Sequence, residues 1–314
     1  MNNFAYSNTN KRYHTLDYFY KTKFGCKVFK VSLNAGFTCP NIDGTVGNDG
    51  CIYCSKFGGG EYGGNVNDNL VKQFNDVKNM MHKKWPKAKY IGYFQARTNT
   101  YAPLHILKRK YETILNLDNV VGLSIATRPD AIDDKCLDYL TSLSKKTFLT
   151  VELGLQTIHE KTTKLINRCH DLKCFDDMVV KLKERGIFVV AHIINGLPYE
   201  TRDMMIDTVR HLNDIGIDGI KIHMLSVIKN TPLENLYLKK GFKLLTKEEY
   251  IEIVCEQLEY LDPKIVIQRL TGDPMASSLI EPKWLLKKVN VLNDIDKFMV
   301  SNNIYQGDKI KIDY

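Results

Sequence analysis

No apolar run in these 314 residues approaches the length of a membrane span, which excludes a helix crossing a bilayer. The opening segment, MNNFAYSNTNKRYH, carries basic residues with no apolar stretch behind them, so it does not read as a secretory signal. A soluble protein of the cytoplasm, with no membrane partner, is expected. Linkers, repeats and low-complexity segments are also missing, and nothing in the composition forces a split into independent units. With 44% hydrophobic residues the chain is far from the range of disorder and can bury a large core. Only one CxxC occurs, Cys51 to Cys54, and no HxxxH pair stands elsewhere to match it. A zinc ribbon wants a second ligand pair of that kind, so here it lacks half its ligands.

What the chain has instead is a third cysteine in the same loop. Cys39, in GFTCPNIDGTVGNDGCIYCS, is carried round to the CxxC by a turn-rich arm. A redox CxxC explains neither Cys39 nor that arm. Three thiolates hold an iron–sulfur cube with one iron left free, where four would close it. A free corner suits S-adenosylmethionine, whose amino and carboxylate groups chelate it before one electron breaks the sulfonium bond and gives a 5′-deoxyadenosyl radical. The other five cysteines, Cys26, Cys136, Cys169, Cys174 and Cys255, read as buried thiols of a reducing compartment. Tyr53, between the paired ligands, fits either a ring beside the adenosyl group or ordinary loop packing.

Apolar, β-branched runs recur with room for one helix between each: 27–35, 89–96, 120–127, 148–156, 188–195 and 219–227. They read as buried parallel strands. Helical patterns lie between them, as in DNLVKQFNDVKNMMHKKW, DDKCLDYLTSLSKK, FDDMVVKLKERG and TRDMMIDTVRHLNDIG, with basic or glycine stops. This order predicts an α/β fold, a partial (β/α)6 TIM-like barrel, in preference to a doubly wound sheet. The preference rests on the strand ends, which run into the cysteine loop, QARTNT, ATRPD, Gln156 and NGLP, because barrel sites gather at the carboxyl ends of strands. Residues 1–230 are assigned to the barrel, with a cluster loop at 39–54. Residues 231–314 form a C-terminal extension packed on it, with a strand-like segment at 264–271, a helix at 246–262 and a helical tail from Glu281. Gly58, Gly60 and Gly63 match GxGxxG, yet CIYC and not a strand precedes them. They read as a flexible connector, with a lid as the functional alternative.

The net charge is +8. Basic residues cluster at His82, Lys83, Lys84, Lys87 and Lys89, and again at Lys108, Arg109 and Lys110. Each run suits either a phosphate backbone or a solvated helix face.

The segments FGCKVFKVSLNAGFTCPNIDGT, GCIYCS, YFQARTNTYAP, LSIATRPD, VELGLQT, INRCHD, AHIINGLP, GIKIHML and RLTGDP followed by EPKW resemble the radical S-adenosylmethionine superfamily. Within it they are similar to the YtqA/YhcC subgroup, which is related to the catalytic subunit of Elongator. The resemblance spans nearly the whole chain, and the long gap from Cys39 to Cys51 is similar to the subgroup's own spacing. It implies that Cys39, Cys51 and Cys54 ligate a 4Fe-4S cluster. It also implies that Gln156 and Arg168 contact S-adenosylmethionine, Arg168 at the carboxylate and Gln156 at the ribose or amino group. Gln95, Thr98 and Asn99 occupy the strand end where the superfamily recognises the methionine amino group. Asn195 and Gly196 lie where it approaches adenine. His192 takes a position that is acidic in some relatives, and reads as a binder or as a satisfied core histidine. Two departures stand out: Ile42 replaces the arginine of CPNRDG, and Cys169 replaces the glycine of NRGH. Cys169 and Cys174 are a candidate second metal pair or buried thiols.

The same resemblance implies an enzyme acting on a tRNA wobble uridine, on the route from its carboxymethylaminomethyl form to the aminomethyl and methylaminomethyl forms. Hydrogen abstraction beside the nitrogen is the implied opening step. The implied partners are tRNA and an electron donor such as a flavodoxin or ferredoxin. Arg269, Asp273, Trp284, Lys287 and Lys288 are candidate contacts to phosphates or a base, with core packing as the alternative for Trp284. No acetyltransferase or TRAM module is read behind the barrel, so the activities that use them are not expected. Two rival readings keep other chemistry open: a radical enzyme with a small-molecule substrate, and a zinc-clipped RNA-binding adaptor without catalysis.

Overall fold

The computed structural model describes residue 4 and residues 6–310. In chain order the elements are α1 (Leu16–Phe24), β1 (Val28–Leu33), α2 (Leu70–His82), β2 (Lys89–Phe94), α3 (Leu104–Leu115), β3 (Val120–Thr127), α4 (Asp134–Ser144), β4 (Phe148–Gln156), α5 (Glu160–Leu165) and α6 (Leu172–Glu184). They continue with β5 (Phe188–Asn195), α7 (Arg202–Asp214), β6 (Gly219–Met224), β7 (Val227–Ile228), α8 (Pro232–Leu238), α9 (Lys247–Glu259), β8 (Val266–Arg269), β9 (Leu279–Glu281) and α10 (Lys288–Ser301). Seven strands form one parallel sheet in the order β1-β2-β3-β4-β5-β6-β8. The sequence predicts six strands in the barrel, and the seventh, β8, comes from the segment read as extension.

The sheet curls, because Ser32 on one edge strand and Arg269 on the other line the same cavity. The edges also meet through side chains: Lys30 Nζ on β1 donates to Gln268 Oε1 on β8 at 2.6 Å. The free edge of β8 is covered by the segment before α1, where the Ile267 amide donates to the His14 carbonyl at 2.8 Å, which removes an exposed pairing edge. Helices wrap the outer face and bury Phe74, Leu107, Tyr111, Leu140, Phe175, Val179, Leu212 and Leu258 against it. They begin where short polar side chains satisfy free backbone amides: Asn69, Asp133, Asp171, Thr201 and Thr246, the last in a reciprocal capping box with Glu249.

Three differences from the sequence reading concern the site. The run at 219–227 stops at Met224, and the chain leaves the sheet to pair β7 antiparallel with β9. The tail begins as a tight turn over Lys283–Lys287 before α10 starts. Trp284, a candidate base-stacking residue, packs on the Tyr250 ring at a centroid distance of 5.4 Å as part of the core.

Candidate functional site

A cavity of about 430 Å³ opens at the carboxyl ends of the strands, within the size range of small-ligand sites. Cys39, Cys51 and Cys54 line its rim. The loop that carries them is folded on itself: the Cys39 carbonyl accepts from the amides of Ile42 and Asp43, and the Cys51 carbonyl accepts from the Cys54 amide at 2.9 Å. The loop is also stitched to the segment after α5. Asn41 Nδ2 donates to the Asn167 carbonyl at 2.6 Å, Asn167 Nδ2 donates to the Gly50 carbonyl at 2.7 Å, and the Ile52 amide donates to the Ile166 carbonyl. Burial raises the Cys51 thiol, partly offset by a hydrogen bond from Tyr53 and by Arg128. Burial and the neighbouring Cys51 push Cys54 up to about 12, with Arg97 acting the other way.

Below the rim lies a polar hub that the sequence reading passes over. Glu152, fully buried on β4, accepts from Lys30 Nζ at 2.6 Å and Ser124 Oγ at 2.5 Å on one oxygen. The other oxygen accepts from Tyr93 Oη at 3.0 Å and Lys221 Nζ at 2.5 Å, and meets His192 Nε2 at 2.7 Å. Burial alone would raise this carboxyl, but the charges of Lys221 and Lys30, with the His192 hydrogen bond, hold it well below the usual range. Burial lowers Lys221 to about 7 against the pull of Glu152, and lowers His192 to about 4. The signal for the hub was in the strands themselves. Glu152, Gly154 and Gln156 on β4, and Lys221 and His223 on β6, alternate with apolar residues at the period that faces one side of a strand.

Of the residues singled out from sequence, Cys39, Ile42, Cys51, Tyr53, Cys54, Gly58, Gln95, Thr98, Gln156, Arg168, His192, Arg269 and Asp273 line this cavity. Gln156 ends β4 in the left-handed region, at φ 62°, where a register shift of β4 on β5 also falls. Its amide lies over Gly154, where a Cβ would come within 2.6 Å of Nε2. Arg168 also lines the cavity, but its bonds within the chain are of another kind. Read as a partner for a carboxylate, it spends its guanidinium on carbonyls: His170 at 3.1 and 3.0 Å, Thr157 at 2.7 Å, and Leu155. Leu155 and Thr157 flank Gln156, so Arg168 staples the left-handed turn that presents Gln156 to the cavity.

Further corrections follow from packing. Asn99 is fully buried outside the cavity wall, its Nδ2 donating to the Ala126 carbonyl at 2.8 Å. Asn195 also lies off the wall, in a reciprocal amide pair with Gln257 at 2.7 and 2.9 Å. Cys169 is exposed and not a buried thiol. Among the described residues no group of three or more His, Cys, Asp or Glu can hold a metal ion, so Cys169 and Cys174 have no completed second site. The basic run from His82 to Lys89 joins α2 to the start of β2, the end of the sheet opposite the cavity. Lys108 and Arg109 are exposed on α3, which starts at the cavity end.

The glycine segment read as a flexible connector is a docked strap. The Arg97 amide donates to the Gly58 carbonyl at 2.9 Å, and Gln95 Nε2 to the Gly59 carbonyl at 2.6 Å. A Cβ at Gly60 would stand 2.5 Å from the Ala96 Cβ and 2.9 Å from its Cα. Gly60→Val is therefore expected to lift the strap from the 95–97 segment that follows β2. Hydrogen exchange should rise several-fold at Gly58 to Gly63 and stay at the wild-type level in β4 and β5. Unchanged exchange in the strap would contradict the docking.

Comparison with known proteins agrees with this architecture. Residues 42–212 match the family model for the radical SAM superfamily, and residues 217–301 match the radical SAM C-terminal domain. The chain is 51% identical over 306 residues to YtqA of Bacillus subtilis, covering 98% of this chain and 95% of YtqA. It is 28% identical over 182 residues to a tRNA uridine(34) acetyltransferase of Methanocaldococcus infernus, covering 57% of this chain and 33% of that protein. The solved structure of archaeal Elp3 from Methanocaldococcus infernus, with its N-terminus deleted, superposes with a TM-score of 0.67 at 18% identity, covering 90% of this chain and 64% of that one. That last likeness is one of fold. The chain belongs to the radical S-adenosylmethionine superfamily, whose cofactors are a 4Fe-4S cluster and S-adenosylmethionine, and within it to the subgroup of YtqA and YhcC.

Proposed function

We propose that Cys39, Cys51 and Cys54 hold the cluster at the rim and that the cavity beneath acts on a tRNA wobble uridine carrying a carboxymethylaminomethyl group. The observation that carries the first part is the shared rim of three thiols above a seven-stranded barrel. The donor set fits a cube better than a single ion. A closed tetrahedral zinc site takes four protein ligands, whereas Cys39, Cys51 and Cys54 are the three cysteines on the wall of this cavity. Three thiolates match a cube with one iron left open.

When bound, the cluster supplies one electron that cleaves S-adenosylmethionine to a 5′-deoxyadenosyl radical. The chain's own residues bind and shield. Gln156, held by Arg168, offers its amide to the cofactor, and Tyr53 closes the rim beside Cys51. The Glu152 hub keeps Lys221, Tyr93 and His192 in fixed positions under it, as preorganised polar groups for a substrate.

The RNA part of the reading is supported by the tRNA uridine(34) acetyltransferase named above and by Lys108 and Arg109, exposed on the helix that starts at the cavity end. An electron donor of the flavodoxin or ferredoxin kind completes the scheme. The test is the yield of 5′-deoxyadenosine after anaerobic cluster reconstitution, with S-adenosylmethionine and a reductant. Bulk tRNA bearing carboxymethylaminomethyl-uridine is compared with no RNA. A tRNA-dependent rise is expected. Equal yield with and without tRNA would move the substrate from RNA to a small molecule.

A further inference from the structure

The wall of the cavity carries two basic side chains whose bonding capacity is only partly used. Both oxygens of Glu152 are already engaged by Lys30, Ser124, Tyr93, Lys221 and His192. His223, two residues beyond Lys221 on the inward face of β6, lines the cavity, and its ring makes no hydrogen bond among the described residues. Its ring lies 5.5 Å from that of His192. Arg269, opposite Lys221 in the β6 and β8 register, also lines the cavity. Among the described residues its ion pair is with Asp273 at 3.4 Å, and Lys288 engages the same carboxylate. Burial and the Arg269 charge keep His223 neutral, so the ring offers one N–H donor and leaves the cationic work to Arg269.

From this geometry we infer that His223 and Arg269 form a subsite for a carboxylate carried by the substrate. The inference rests on the radical-enzyme reading of the cavity. A guanidinium presents two parallel N–H groups that match the two oxygens of a carboxylate, and a neighbouring histidine adds a third donor. His223 lies within β6 and Arg269 closes the carboxyl end of β8, both on the cavity wall. A carboxymethylaminomethyl side chain carries a carboxylate that its aminomethyl product lacks. The subsite therefore separates substrate from product: it holds the first and has no partner for the second.

The competing occupant is the methionyl carboxylate of S-adenosylmethionine, and the experiment keeps the two apart. Anticodon stem-loops with carboxymethylaminomethyl-uridine or aminomethyl-uridine at the wobble position are bound to the holoenzyme and read by fluorescence anisotropy. S-adenosylmethionine binding is read separately by equilibrium dialysis. Wild-type protein is expected to favour the carboxylated loop by about tenfold or more, the scale of one charged hydrogen-bonded pair. Arg269→Gln and His223→Gln are expected to bind both loops alike with cofactor affinity retained, and Arg269→Lys to recover part of the preference. Retained discrimination in both glutamine variants would overturn the subsite. So would a fall in cofactor affinity that leaves the loop preference intact. Cluster content reports folding, and if Arg269→Gln fails to load its cluster, Arg269→Lys and His223→Gln carry the comparison.

A second arm stands without RNA. Sarcosine, a free N-methylated glycine, is titrated into histidine-labelled protein and followed by NMR. A saturable shift of the His223 signals, absent in Arg269→Gln, supports the subsite even where no stem-loop binds, which would count against the tRNA reading alone. No shift in wild-type protein, together with equal stem-loop binding, overturns the subsite.

Discussion

Alanine at any one of Cys39, Cys51 and Cys54 is expected to strip most of the iron and sulfide from anaerobically prepared protein and take 5′-deoxyadenosine formation to background. The three thiols share one rim, and two cysteines leave the cube under-held. The loop has its own hydrogen bonds to the 166–168 segment, through Asn41, Ile52 and Asn167. The barrel core is therefore expected to survive each substitution, with far-ultraviolet circular dichroism like that of the parent. Cys169→Ala is the control, because that thiol is exposed and outside the rim, and it should keep full iron. Wild-type iron and turnover in any of the three rim variants would contradict the assignment.

Glu152→Ala is expected to cost about 3–5 kcal/mol of stability, the scale for breaking a buried ion pair from one side. The loss strands Lys221, 6% exposed, and Lys30 without their counter-charge, and frees Tyr93 and His192. Urea unfolding with the midpoint and slope both fitted measures it, and a loss under about 1 kcal/mol would contradict the hub's role. The pH dependence has a definite sign. The folded-state pKa of Glu152 is depressed, so its contribution is present above the unfolded value near 4.5 and is lost as pH falls through the folded value. Wild type and Glu152→Gln should therefore converge in stability on acidification. Lys221 acts in a separate window. Its folded pKa is lowered from 10.5 to about 7, so the unfolded chain binds more protons between those values. This group alone makes stability rise with pH from about 7 towards 10.5.

Most of the barrel was legible because a parallel strand buried on both faces leaves a continuous apolar run. The runs at 120–127, 148–156 and 188–195 match β3, β4 and β5 residue for residue. The seventh strand was visible as KIVIQRLT but read as extension, because the contact that recruits it, β6 on β8, spans the whole α9 excursion. The three cysteines of one loop were legible as a set, and the structure brings them to one cavity wall. For the Glu152 hub only the alternation within β4 and β6 was there to read, and not which strands bring Glu152, Lys30, Tyr93, His192 and Lys221 to one point. Arg168 shows a subtler limit. The twelve-residue interval to Gln156 marks a real relationship, yet one made through the backbone carbonyls of Leu155 and Thr157, which no sequence pattern displays. Asn99 and Asn195 stand at informative strand ends, and packing spends their amides on Ala126 and Gln257.

The most direct test of the account is nucleoside analysis of the tRNA after reaction. Holoenzyme, S-adenosylmethionine and a reductant are incubated with tRNA carrying carboxymethylaminomethyl-uridine, and the digested nucleosides are quantified by mass spectrometry. The account predicts that the carboxymethylaminomethyl nucleoside falls and the aminomethyl nucleoside rises in step with 5′-deoxyadenosine, and that the Cys51→Ala protein leaves both unchanged. Formation of 5′-deoxyadenosine by the intact holoenzyme with the tRNA nucleosides unaltered would contradict it.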